Sequence, residues 1–298
     1  MTDIMNKKAR EDFSERKKSG GFPYKTILNY CMLVLIVLFV LAPFYIMFCT
    51  SIMSVYESQG AYFKFWPDNP SLIMYEKVLI EETNGYSIVV GFTNTLLYYG
   101  PSSVVGVLVS AMSSYAFAKM KFPGRTFMFS TLIATMTIPN NIGLLTSYVM
   151  FDKLHWIGTA LPIVVPRLFG TIGIMFFLRQ YYMAMPDDLI GSGRIDGLGH
   201  FGVFCRIMLP ISIPAVVAQF VLYFLSGYND YMAPYLYLQY SRLATLQVVL
   251  AQYENPYLQN WPLRMAGCLS AMIPMVILYL SAQKLLLKDI SVSSGLKG

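Results

Sequence analysis

The sequence predicts an all-α integral membrane protein, with six transmembrane helices and a pair of short cytoplasmic helices between the fourth and the fifth. Three observations carry this reading. Apolar residues make up 56% of the 298 and charged residues only 13%, about half the share found in soluble domains, and the mean hydropathy is +0.52. Six long apolar stretches recur along the chain, several of them interrupted by proline or glycine as membrane helices tolerate. Basic residues are also segregated: sixteen of the 22 Lys and Arg fall in segments assigned to the cytoplasm, the asymmetry that orients membrane proteins. The net charge of +6 therefore reports topology rather than a nucleic-acid partner.

Residues 1–25 form a polar tail of mixed charge, expected in the cytoplasm, and the apolar run that follows is too long for the core of a cleavable signal. Residues 26–298 are expected to form one transmembrane domain. A first span is expected at about 27–53, with Pro43 inside it. An aromatic-rich outer segment follows, in which Phe65, Trp66 and Pro67 precede a helical MYEKVLIEE. The second span, about 92–118, is rich in Gly, Ser and Ala, which let membrane helices approach closely, and it leaves through the basic run SYAFAKMKFPGR. A third span is expected at about 127–150, holding Pro139, Asn140 and Asn141. The fourth, at about 158–178, contains Arg167, a charge that is costly in a bilayer unless it is paired or wetted. Three roles stay open for it: lining an aqueous path, pairing with Asp230, or making a structural polar contact. A fifth span at about 213–236 and a sixth at about 265–286 leave both termini on the cytoplasmic side.

Between the fourth and fifth spans lies the charged island 185–214, MPDDLIGSGRIDGLGHFGVFCRIMLPISIP. Pro186, Asp187 and Asp188 suit a helix start, and the first short helix is expected to stop near Gly197. A second helix from about His200 puts Phe201, Phe204, Ile207 and Met208 on one face before Pro210 ends it. The product is a compact knob with an apolar side and a charged side. By pattern alone, such a pair serves equally as a connector resting among lipid headgroups.

The run Pro186, Leu189, Arg194, Ile195, Asp196, Gly197, Phe204, Leu209, Pro210 and Pro214 resembles the EAA loop of ABC importer permeases, in the form seen in carbohydrate permeases of the MalG type. The FPGR exit, the segment SGYNDYMAPYLYL with Asn229, Asp230 and Pro234, and the final SGLKG are similar to the same family. One departure stands out: Gly191, Ser192 and Gly193 occupy the place of Glu-Ala-Ala, so the acidic residue is lost, with Asp187 or Asp188 the nearest substitutes.

The resemblance implies a permease subunit of an ATP-driven importer for a sugar or oligosaccharide, in the cytoplasmic membrane of a prokaryote. Its implied partners are a second, homologous permease, a dimer of ABC ATPases, an extracytoplasmic sugar-binding protein, the carbohydrate and membrane lipid. The implied ATPase-coupling residues are Gly191, Arg194, Asp196, Gly197, Phe201, Phe204, Pro210 and Pro214. Polar and aromatic candidates for the substrate path are Asn94, Asn140, Tyr228, Asn229 and Asp230. The chain has no GxxxxGK[ST] loop, so no cofactor is expected on it, ATP being bound by the partner, and it is not expected to be an enzyme. Cys31, Cys49, Cys205 and Cys268 show no metal spacing, and no catalytic or metal site is expected. The alternatives are an ABC permease for polyamines or peptides, and an ion-coupled secondary transporter, which calls for buried ionisable residues at the midplane.

Overall fold

A computed structural model describes residues 24–60, 62, 64–81, 85–238, 240–253 and 260–295, so the expected tail at 1–25 lies almost wholly outside the described residues. The described chain is helical. Four helices are long and apolar enough to cross a membrane: Thr26–Ser51, Ile88–Lys119, Leu161–Ala184 and Trp261–Gln283. A fifth crossing arises if His200–Ile211 and Ile213–Tyr228, bent by 79° at Ser212, are taken as one broken span.

Helix α1 (Tyr24–Ser51) carries Pro43 and runs with almost no buried side chain until Cys49, so its apolar faces are left for lipid or for another subunit. Two short outer helices follow, α2 (Val55–Ser58) and α3 (Ile73–Ile80). The centre of the bundle is α4 (Ile88–Lys119), which packs chiefly on the later helices Ile172–Ala184 and Ile213–Tyr228. Small residues explain why. Ser102, Ser103, Gly106, Ser110, Ala111 and Ser114 are all buried, and Ser114 donates both to Ser110 O and across to Met175 O at 2.9 Å.

The stretch expected as a third span is divided into α5 (Arg125–Thr135) and α6 (Asn140–Lys153). The reason lies in residues 136–139. Pro139 has no N–H to continue the ladder, and Met136, Thr137 and Ile138 bond back only three residues, to Ile133, Ala134 and Thr135. Neither piece is long enough to span a bilayer alone.

The fourth span is also broken, into α7 (Leu161–Arg167) and α8 (Ile172–Ala184). Gly170 takes φ +72° at the break and lies against Gly106 of α4. A Cβ on Gly106 would stand 2.3 Å from Arg167 O, so both glycines are required by the approach itself. Thr171 then caps α8, its hydroxyl accepting from Ile174 N at 3.3 Å.

The knob comprises α9 (Asp188–Ile195) and α10 (His200–Ile211). It is followed by α11 (Ile213–Tyr228), α12 (Met232–Tyr237), α13 (Leu246–Ala251) and α14 (Trp261–Gly295). Pro210 does not end α10 as expected. A π turn over Phe204–Met208, with Leu209 N bonding to Phe204 O, widens the helix just before the proline ring. The helical path therefore continues to Ile211 and turns at Ser212.

Two apolar cores result. One gathers Tyr99, Tyr228, Leu246, Val249 and Phe151 toward the expected outer end. The other joins Val107, Tyr115, Tyr182, Val203, Phe204 and Met208, so the base of the knob shares a core with the spans.

Candidate functional site: a two-helix knob and a cavity beside Arg167

The knob is built so that one part is fixed and another is presented. Phe204 is buried and packs its ring 5.6 Å from Tyr115 of α4, with Val203 and Met208 buried beside it. Tyr182, which shares a hydroxyl contact of 3.0 Å with Ser212, lies edge-on to the same Tyr115. Gly193 lets α9 settle onto α10, since a Cβ there would meet Ile207 Cδ1 at 2.6 Å. Gly197 turns the chain at φ +79°, with its N–H on Arg194 O and Leu198 N on Gly193 O, a left-handed helix cap.

The tip faces outward: Ile195 is 88% exposed and Phe201 69%, and Arg194, Asp196, His200 and Arg206 of the same knob are exposed too. Phe201 and Phe204 were expected on one face; the structure turns Phe201 to the surface and Phe204 into the core. Ile195, an exposed apolar residue at the turn, stands in the run that resembles the EAA loop but not among the residues that the resemblance implies for coupling, and its i+6 spacing from Phe201 across a turn gave no periodic signal.

The knob is tied to the spans by Lys119 at the end of α4. Its ammonium, nearly buried, donates to Met185 O and to Asp187 Oδ1, each at 2.6 Å. That hydrogen bond, reinforced by the lysine's charge, holds the Asp187 carboxyl below its ordinary range. Asp187 thus has one oxygen on Lys119, while its side chain remains 84% exposed. Gly191, at the glutamate's place, has nothing within 4 Å of a Cβ and borders a cleft lined also by Lys121, Arg125 and Arg194. Pro214 sits in the first turn of α11, where a missing N–H costs nothing.

Of the residues named for a substrate path, four have their polar groups engaged in holding the fold. Asn94 donates to Arg242 O at 2.9 Å and Ala244 O at 3.0 Å. Tyr228, 2% exposed, donates to Ala271 O at 2.7 Å. Asn229 returns to Leu225 O, and Asp230 accepts from Tyr99 Oη at 3.2 Å and from Ala233 N at 3.4 Å. Asn140 opens α6, and its side chain lies outside the described residues.

A cavity of about 580 Å³ lies elsewhere, between the break of α7–α8 and α11, where Arg167, Thr171, Gln219 and Ser226 meet the apolar Pro166, Ile174 and Leu222. Arg167 donates through Nη2 to Tyr223 O at 2.7 Å and Ser103 Oγ at 3.1 Å, and its guanidinium carbon lies 4.0 Å and 4.8 Å from the ring centres of Tyr223 and Tyr99. It does not pair directly with Asp230; Tyr99 stands between them, with its ring toward the arginine and its hydroxyl on the aspartate. The lone in-span cation was the signal in the sequence, while its partners required the fold.

Residues 19–292 match the family described as binding-protein-dependent transport system inner membrane component. The chain belongs to that family. This permease is 32% identical over 195 residues to the arabinooligosaccharide transport system permease protein AraQ of Halalkalibacterium halodurans, covering 65% of this chain and 69% of the relative. It is 25% identical over 268 residues to the sn-glycerol-3-phosphate transport system permease protein UgpE of Escherichia coli, covering 88% and 94%. Its fold superposes with a TM-score of 0.75, at 20% identity and over 88% of this chain and 96% of the other, on a chain from a bacterial ABC transporter involved in import of the acidic polysaccharide alginate. The permease is a multi-pass membrane component of an ABC importer, and ATP hydrolysis belongs to a separate partner.

Proposed function

We propose that this permease carries a carbohydrate across the cytoplasmic membrane of a prokaryote, paired with a second homologous permease, driven by an ABC ATPase dimer docked on the knob at 185–214, and fed by an extracytoplasmic sugar-binding protein. The family and the arabinooligosaccharide relatives support the solute class. One observation carries the coupling role: the exposed Ile195 and Phe201 stand on a base whose Phe204 and Met208 are locked into the span core. A force applied to the tip is therefore transmitted to α4 and α8 as a rigid-body motion instead of being absorbed locally. In this reading the chain crosses the membrane six times, with α5–α6 and α7–α8 as broken crossings, α11 as the fifth, and both termini in the cytoplasm.

Pull-down of the tagged full chain in mild detergent tests the reading. The wild type brings down a nucleotide-binding ATPase and a second permease. The pair Ile195→Ser and Phe201→Ser loses the ATPase while keeping the permease. Absence of any ATPase from the wild-type preparation refutes the coupling role.

A further inference from the structure

The cavity beside Arg167 has a chemistry that a neutral sugar does not require. Its volume, about 580 Å³, is in the range of pockets that hold small ligands. No carboxylate lines it, and Arg167 belongs to none of the ion pairs found among the described residues. Asp230 makes no ion pair with Arg167, and its oxygens accept from Tyr99 Oη and from Ala233 N at the start of α12. Arg167 Nε is enclosed and makes no hydrogen bond. A guanidinium held this way within a span has no ion-pair partner among the described residues.

A second feature has the same sign. The broken span aims the start of α8, a 13-residue helix, at the same space: Gly170, Thr171, Gly173 and Ile174 all line it. The positive end of that helix dipole and the arginine thus converge on one cavity. Gln219 and Ser226 on α11 supply uncharged polar groups on the opposite wall. The Gly106–Gly170 contact and the rings of Tyr99 and Tyr223 fix both positive elements in place.

We infer that this cavity is a subsite for an anionic group of the transported solute, a carboxylate such as that of a uronic acid or a phosphate ester, gripped by Arg167 and the start of α8. The inference rests on the importer reading for its solute but not for its binding chemistry. Arg167 directs the anion and Gln219 and Ser226 contact the hydroxyls beside it. Guanidinium recognition of such a group is charge-assisted, so it discriminates against a neutral analogue by about tenfold or more.

The test is direct binding to the full chain, purified with whatever subunits accompany it. The probes are digalacturonate, glycerol 3-phosphate and the neutral sugar arabinotriose. Wild-type protein binds at least one charged probe about tenfold tighter than arabinotriose, and the margin shrinks as salt is raised. Preference for digalacturonate alone identifies a carboxylate as the anion, and preference for glycerol 3-phosphate alone a phosphate. Arg167→Gln erases the margin and Arg167→Lys keeps part of it. Gly173→Asp places a carboxylate where a Cβ meets nothing closer than 3.8 Å, leaving Arg167 untouched. It abolishes binding of the charged probes while the second permease still copurifies. Equal binding of charged and neutral probes by the wild type overturns the inference, as does full charged-probe binding by Gly173→Asp. Capture of the ATPase is scored separately. An Arg167-dependent anion site without an ATPase sinks the proposed ATPase docking alone, and an ATPase-coupled carrier indifferent to charge sinks this inference alone.

Discussion

Gly170 and Gly191 are both glycines in short helical surroundings, yet the same alanine substitution should move stability in opposite directions. Gly170 sits at φ +72°, and a Cβ there would stand 1.9 Å from Ser110 Oγ and 2.4 Å from Gly106 O. Left-handed backbone costs an L residue about 1–2 kcal/mol, and the overlap with α4 adds about 1–3 kcal/mol more. Gly191 has a helical backbone and open space, so Gly191→Ala should gain about 0.5–1 kcal/mol of helix stability. Thermal unfolding of the detergent-solubilised chain checks both: Gly170→Ala melts well below the wild type and Gly191→Ala at or slightly above it. A Gly170→Ala protein melting like the wild type removes the argument for a strained break. In the sequence Gly191 marked the place of the lost glutamate while Gly170 carried no signal; only the partners across the break show that Gly170 is the one its site requires.

At the scale of elements, the knob is a lever whose hinge is pinned by one ion pair. Lys119 reaches from the end of α4 to Asp187 and Met185 O, just ahead of α9. The Asp187 carboxyl is held below its unfolded range, so the tether stabilises fully at neutral pH and is lost as pH falls through the folded value. Hydrogen-exchange protection of the amides of α9 should drop on acidification across that range. Asp187→Asn should show the low protection already at pH 7 and lose the pH dependence. Protection that is the same in Asp187→Asn and wild type at pH 7 excludes the tether. Both helices of the knob and its glycine turn were legible in the sequence, because short-range spacing and left-handed caps are local properties. The exit of α10 was not, since a π turn ahead of Pro210 leaves no mark in hydropathy. Nor was the division at 136–139, where an apolar run reads as one span although its hydrogen bonding fails at Pro139.

For the whole molecule, the decisive property is which way the knob points. Docking of an ATPase requires it in the cytoplasm, and the distribution of Lys and Arg argues for that side. Two exposed positions report the orientation. Cys205 lies on the surface of α10, and Tyr56, 91% exposed, lies on α2 at the other end of the bundle. Substituting Ser for Cys31, Cys49 and Cys268 leaves Cys205 as the single thiol, and Ser at position 49 preserves the hydrogen bond that Cys49 now makes to Phe65 O. A membrane-impermeant maleimide should label Cys205 in inside-out vesicles and not in intact spheroplasts. Tyr56→Cys, with Cys205 also changed to Ser, should give the reverse. If Cys205 reacts from outside, the knob is extracytoplasmic and no ATPase docks there. The opposite result joins charge asymmetry, the locked base of the knob and the exposed Ile195–Phe201 tip in one account of how force from the cytoplasm reaches the broken fourth span, where Arg167 waits.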